Sequence, residues 1–411
     1  MSGDAGTSGP NPDLVLLALL ALLVAAGTWE FVRLRATDRR WILTGALPGW
    51  RALRSELFRV LLWFLSWPHV VDRIIGTHRA PVAATASREV MRWPGGRLLH
   101  YGAPGGPSAL PPVLIVHSLV TRPWILDLAP GCSLVEALTT AGREVFLLDW
   151  DEPDRATAAH TVLDKSALVR SALEVAGGRA RRPVHVVGYC SGAPVALLAT
   201  AVDAGGVASL SLIAPMVDAA ARGGMQAVMT ARWLLPPLLL DGHGCVPAAA
   251  IRESFHLLRP MAVRAARQRW RLRRDPAASR IAGALTRWTW EQRPLSGGVF
   301  FDLVDMFRTN PLMGDGWPAG GTALDIRRIT TPTLVVVSER DHIVPPPSSL
   351  ALTRLLSGPV QVTRSPGGHV SMVAGVDAPT TLYPAVLEWL DQQDAAASSP
   401  TARITGAVAP V

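Results

Sequence analysis

Between residues 90 and 365 the chain repeats one pattern, a short run of apolar, β-prone residues followed by a stretch with helical spacing. Runs such as VLIV at 113–116 and TLVVV at 333–337 show no polar alternation, as a strand covered on both faces requires. Strands alternating with helices build a mostly parallel sheet with helices packed on its faces, an α/β architecture. The spacing predicts strands over 97–101, 113–116, 145–149, 184–188, 209–213, 333–337 and 360–363, and helices over 132–141, 158–176, 191–201 and 379–392. The alternation stops over residues 219–325, which are rich in Arg, Trp and Leu at helical spacing and read as a helical cap inserted over one end of the sheet. The core therefore comes in two parts, 90–218 and 326–393, and the Ala/Ser/Thr/Pro-rich residues 394–411 read as a disordered tail.

Two further segments precede the core. Residues 14–29 hold no charged side chain and, extended by Phe31 and Val32, approach the roughly 20 residues that cross a bilayer. Only Asp4 and Asp13 are charged ahead of this run, whereas Arg33, Arg35, Arg39 and Arg40 follow it, which does not fit a secretory signal. Residues 1–40 thus read as an N-terminal hydrophobic, transmembrane segment that leaves the rest of the chain in the cytoplasm. Residues 41–89 intersperse Trp41, Trp50, Trp63 and Trp67 with arginines, an amphipathic helical pattern suited to a lipid–water boundary.

The formal net charge of +8 comes almost entirely from arginine, Lys165 being the only lysine. No basic tract interleaved with stacking aromatics occurs, so nucleic acid is not an expected partner. A basic surface suits anionic lipid or an anionic acyl carrier instead. The three cysteines, Cys132, Cys190 and Cys245, form no disulfide framework and fit a reducing compartment. His243 and Cys245 lack a second Cys/His pair at ligand spacing, and neither a P-loop nor a dinucleotide fingerprint occurs; no metal or resident cofactor is expected.

The chemistry concentrates in Gly188-Tyr189-Cys190-Ser191-Gly192, a G-x-nucleophile-x-G sequence between an expected strand and an expected helix. Such a turn lifts the nucleophile above the sheet, with a helix N-terminus beneath it, and flanking glycines leave room for neighbouring backbone. An acid and a base should follow later strands, in that order. Asp341 follows the strand at 333–337 and His369 follows the strand at 360–363. His369 is the expected base toward Cys190, and Asp341 the group that orients the imidazole and stabilises its cation. His342, one residue past the acid, reads as structural. Oxyanion donors are expected from the Ser191 N–H and from Leu119 or Val120 in the loop after VLIV.

The chain resembles polyhydroxyalkanoate synthases, above all the short catalytic subunit of the two-component type, and so is identified with the α/β-hydrolase superfamily. The likeness rests on VLIVHSLVTRPWILDL at 113–128, VFLLDW at 145–150, the Gly-Tyr-Cys-x-Gly box, the segment 288–312 with Trp288, Gly297, Phe300, Asn310 and Leu312, and SERDHIVPPPS at 338–348 followed by Gly367-Gly368-His369. It implies an α/β-hydrolase fold and a Cys190–His369–Asp341 triad. The implied reaction polymerises (R)-3-hydroxyacyl units from coenzyme A thioesters through an acyl group on Cys190. It also implies a homodimer, possible use of a second synthase subunit, contact with a membrane or polymer-granule surface, and substrate entry controlled by residues 219–325. The sequence departs from the family pattern at Ala193 (usually glycine), Thr121 (usually asparagine) and Glu291 (usually aspartate). Two other readings stay open on the same residues: a cysteine thioesterase or intracellular polyester depolymerase, and a non-catalytic membrane or granule scaffold.

Overall fold

The apolar runs become the strands of one eight-stranded sheet. In chain order these are β1 (Arg88–Trp93), β2 (Gly96–Tyr101), β3 (Val113–Val116), β4 (Val145–Trp150), β5 (Val184–Tyr189), β6 (Val207–Ile213), β7 (Thr333–Ser338) and β8 (Val360–Ser365). They lie side by side as β1-β2-β4-β3-β5-β6-β7-β8. Only β1–β2 and β2–β4 pair antiparallel; every other neighbour is parallel. Every residue of β3, β4, β5 and β7 is buried, so their mainly apolar texture reflects cover on both faces, with Asp149 and His185 among the buried exceptions. The computed structural model describes residues 80–223, 225, 226, 229, 240–258 and 275–399. These fall in the compact unit Leu65–Val411.

Helices cover the sheet. α1 (Leu134–Thr140) starts where Ser133 accepts a hydrogen bond from the Glu136 N–H. α2 (Val162–Ala180) starts at a reciprocal capping box of Thr161 and Asp164. α3 (Gly192–Val202) is buried from Gly192 to Thr200 and starts directly after Cys190-Ser191. The chain between β6 and β7 is mainly helical where it is described. It contains α4 (Ala248–Leu258), α5 (Pro276–Trp290) and α6 (Gly297–Thr309), a short ladder of Cys245–Val246 with Leu295–Ser296, and a hairpin of Trp317–Ala319 with Thr322–Leu324. Asn310 ends α6 in the left-handed conformation; its side chain accepts from the Ala219 N–H and donates to Asp218, tying α6 back to the segment after β6. The last helix, α7 (Leu382–Ser398), closes the fold.

The structure corrects the expectations in three places. The helix anticipated over 132–141 loses its first two residues, because Cys132–Ser133 pairs with Asp127–Ala129 as a short antiparallel ladder. β1 was not anticipated: REVMRW is mostly exposed at the sheet edge, and pairing with β2 rather than burial holds it there. The anticipated tail from 394 is helical as far as Ser398, because Asp394 accepts from the buried Arg143 and contacts His185, anchoring another turn of α7. The expected hydrophobic span and most of the amphipathic stretch, residues 1–79, lie outside the described residues. Among the described residues no helix is long and apolar enough to cross a membrane.

The strand order decides where a site can form. The chain passes from β3 to β4 on one side and then to β5 on the other side of β3, so the connections diverge at the β3–β5 pair. In open parallel sheets a crevice opens at the carboxyl ends of such strands. β3 ends in the loop carrying His117 to Thr121, and β5 ends at Cys190.

Candidate active site

Cys190 sits at the carboxyl end of β5 with φ +55°, left-handed backbone that a non-glycine residue occupies only where its surroundings enforce it. Its N–H donates to the Ile213 carbonyl and its carbonyl accepts from the Ala193 N–H, which closes the turn. The glycines on either side serve packing. A Cβ on Gly192 would overlap the carbonyl oxygens of Val116 and His117, and one on Gly188 would stand 2.9 Å from the Ala193 Cα. Because these neighbours are backbone, Gly192→Ala cannot be relieved by a rotamer change. That variant is expected to lose about 1–3 kcal/mol of stability by urea unfolding, together with its activity; an unchanged unfolding midpoint would mean that β3 can yield at this point.

The expected acid and base come from β7 and β8, the two parallel strands beyond β6. β7 and β8 pair in register from Thr333 with Val360 to Ser338 with Ser365, so the two following loops leave the sheet together. Cross-links hold the loops: the Ser338 hydroxyl and the Arg340 N–H both donate to the Gly367 carbonyl, and the Glu339 N–H donates to the Ser365 carbonyl. The result is a 2.6 Å contact between His369 Nδ1 and Asp341 Oδ2, both side chains buried. Asp341 Oδ1 accepts from the Ile343 and Val344 N–H groups at 2.8 and 2.9 Å, which fixes the carboxylate. On its other side the His369 ring stacks on Tyr189, with centroids 5.3 Å apart, and the Tyr189 hydroxyl donates to the His369 carbonyl.

Burial disfavours the His369 imidazolium. The negative charge available on Cys190, the Asp341 carboxylate and hydrogen bonds to both outweigh that burial and push the imidazole up to about 10. With Nδ1 engaged by Asp341, Nε2 is the nitrogen left to face the sulfur. Burial, followed by the charges of Cys190 and Asp341, drives the Tyr189 phenol well above its ordinary range, so it stays neutral beside them.

The oxyanion region partly departs from expectation. Ser191 stands at the start of α3, where N–H groups lack an intrahelical acceptor. Of the two proposed donors after β3, Leu119 is committed elsewhere: its N–H donates to the Ser191 hydroxyl at 2.9 Å, and that hydroxyl also bonds Ser118. The Val120 N–H makes only a long 3.5 Å approach to the Ser118 hydroxyl. The expected pair therefore narrows to Ser191 and Val120. Sequence could not disclose this, because it depends on a serine following the cysteine and reaching across to the β3 loop.

Cys190 borders a cavity of about 30 Å³. Cys190, His369, Thr121, Gln292, Trp288 and Val370 are among its lining residues. His342 also lines it, so this residue borders the site as well as following the acid. Trp288 and Gln292 come from the insertion, which is clamped down by the Trp288 indole donating to the Arg122 carbonyl and by Arg122 donating to the Glu291 carbonyl. Cys132 and Cys245 are buried free thiols away from this cavity, as fillers would be.

The sequence pattern of the alpha/beta hydrolase fold matches residues 111–375, more than half of the chain and the whole span from β3 to the loop beyond His369. The chain belongs to the alpha/beta hydrolase fold family. Among individual relatives, it is 27% identical over 304 residues to the poly(3-hydroxyalkanoate) polymerase subunit PhaC of Allochromatium vinosum, covering 72% of this chain and 85% of that one. The subunit of the same name from Haloferax mediterranei is 26% identical over 78% of this chain and 67% of its own length. That of a Synechocystis strain is 28% identical over 69% and 78%. The resemblance to polyhydroxyalkanoate synthases read from the motifs is borne out.

Proposed function

We propose that this chain is a polyhydroxyalkanoate synthase-like acyltransferase that polymerises (R)-3-hydroxyacyl units from their coenzyme A thioesters through a thioester on Cys190. The observation that carries this reading is a sulfur, rather than an oxygen, on the nucleophile turn, facing a histidine that an aspartate orients. The names of the relatives supply the reaction class.

In this reading His369 Nε2 takes the Cys190 proton, and the sulfur attacks the thioester carbonyl. The carbon–sulfur bond to coenzyme A breaks, and the departing thiolate takes the proton back from His369. The acyl group now sits on Cys190. The 3-hydroxyl of a second hydroxyacyl thioester then attacks that carbonyl while His369 accepts the hydroxyl proton. An ester forms, the bond to Cys190 breaks, and the sulfur recovers its proton. Transfer between two thioesters is nearly isoenergetic, so the acyl-enzyme can wait for its hydroxyl. Asp341 keeps Nδ1 protonated and stabilises the imidazolium in both halves. The Ser191 and Val120 N–H groups are the proposed partners of the developing oxyanion. Trp288 and Gln292 of the insertion line the cavity beside Cys190, which gives the insertion the role of a cap over the entering acyl chain. The finer expectations of a homodimer, a second subunit and a membrane or granule surface belong to this same proposal.

Incubation with 3-hydroxybutyryl-CoA, following free thiol and polymer together, tests it. Thiol release accompanied by polymer is expected. Thiol with free acid alone would support the thioesterase or depolymerase instead, and release no faster than from Cys190→Ala would leave the scaffold.

A further inference from the structure

We propose that Thr121 and Gln292 form a subsite that receives the hydroxyl group of the bound acyl chain; this rests on the hydroxyacyl-transferase reading above. Both residues line the small cavity that Cys190 and His369 also face. Both are buried, at 4% and 5% exposure, and Thr121 Oγ1 and Gln292 Oε1 have no hydrogen-bond partner among the described residues. Buried polar atoms are costly when left bare, and folded proteins rarely leave them so without a role.

The orientation of the amide is settled by chemistry. Gln292 Nε2 donates to the Trp288 carbonyl at 2.7 Å and approaches the Thr289 carbonyl at 3.4 Å. Carbonyl oxygens can only accept, so the atom bonded to them is the amide nitrogen and Oε1 is the acceptor left over. The two contributing segments are also locked to each other, since the Trp288 indole donates to the carbonyl of Arg122, next to Thr121, and Arg122 donates to the carbonyl of Glu291, next to Gln292. One threonine hydroxyl able to donate and one amide oxygen able only to accept thus belong to fixed residues of a pocket whose lining also includes Ser118, Thr289 and His342 beside the apolar Ile343 and Val370.

That pairing selects for an alcohol. A hydroxyl donates one hydrogen bond and accepts others, so it satisfies Gln292 and Thr121 together. A substrate carbonyl would leave Gln292 Oε1 unsatisfied. An ammonium would be brought into a small buried pocket whose lining holds no carboxylate. In the complex, the substrate's hydroxyl lies between Thr121 and Gln292, beside Cys190.

The test compares single-turnover thiol release from 3-hydroxybutyryl-CoA and from butyryl-CoA, which lacks only the hydroxyl. The wild-type chain is expected to favour the hydroxylated thioester by about tenfold or more. Gln292→Leu and, independently, Thr121→Val should bring that ratio close to one, the loss falling on the hydroxylated substrate; Thr121→Ser should restore it. A ratio unchanged in both variants, including one in which both substrates slow equally, overturns the subsite. So does a wild type that releases thiol from the two thioesters at the same rate, an outcome that leaves the enzymatic reading standing. Release from neither thioester overturns the subsite together with the reading it rests on.

Discussion

Cys190→Ser should release coenzyme A thiol at least ~10⁴-fold more slowly than the unaltered chain while unfolding at nearly the same temperature. The substitution exchanges one atom and leaves the turn's requirements intact: the left-handed φ of +55°, the Ile213 carbonyl that accepts its N–H, and the glycine on each side. What changes is the chemistry. An alcohol surrenders its proton far less readily than a thiol, and His369, whose elevated affinity for protons depends partly on the negative charge available on Cys190, loses that partner. The product would suffer as well. An acyl group on serine is an oxygen ester, a poorer donor to the next hydroxyl than a thioester, so the second transfer slows too. Cys190→Ala should show no release above buffer. A serine variant working within tenfold of wild type would mean that the site is not tuned to sulfur, and an alanine variant that still released thiol would mean that residue 190 is not the attacking group.

Much of this was legible because burial on both faces leaves a mark in the sequence. β3, β5 and β7 could be placed within a residue or so, since each is a short, mainly apolar run without polar alternation on one face. The acid and base were legible because their loops directly follow β7 and β8, so position along the chain maps onto position at the sheet's carboxyl edge. The features that escaped depend on contacts between distant segments. β1 carries charged residues at a sheet edge and has no hydrophobic periodicity to reveal it. The two-residue ladders at Cys132–Ser133 and Cys245–Val246 are too short to leave any period. Leu119 looked like an oxyanion donor because it follows β3, but the Ser191 hydroxyl, 72 residues away, occupies its N–H. Thr121 and Gln292 gain their meaning only from being buried together at Cys190, through an insertion clamped by Trp288 and Arg122.

Asp341→Asn should cost about 10⁴-fold in acylation rate and move the basic limb of the pH profile downward. The reason lies in how the carboxylate is held. Oδ1 accepts from the Ile343 and Val344 N–H groups, and an asparagine can keep both contacts only by presenting its own oxygen to them. Its NH₂ group then falls where Oδ2 stood, 2.6 Å from His369 Nδ1, and donates into that nitrogen. The imidazole is forced to carry its proton on Nε2, facing Cys190, where it can no longer accept one. The pH shift follows from the same contacts. Burial lowers the proton affinity of His369, and Cys190 and Asp341 more than reverse this, raising it from an ordinary value near 6.5 to about 10. A raised value of this kind contributes stability that is fully present below pH 6.5 and is lost as the pH climbs through about 10. Without the Asp341 charge and hydrogen bond, burial regains weight, so the imidazolium should deprotonate at a lower pH and the alkaline loss of stability should begin earlier. Thiol-release rates and thermal unfolding recorded across pH 5 to 11 would read both effects, and an asparagine variant with an unmoved alkaline limb would show that Asp341 does not govern the charge on His369.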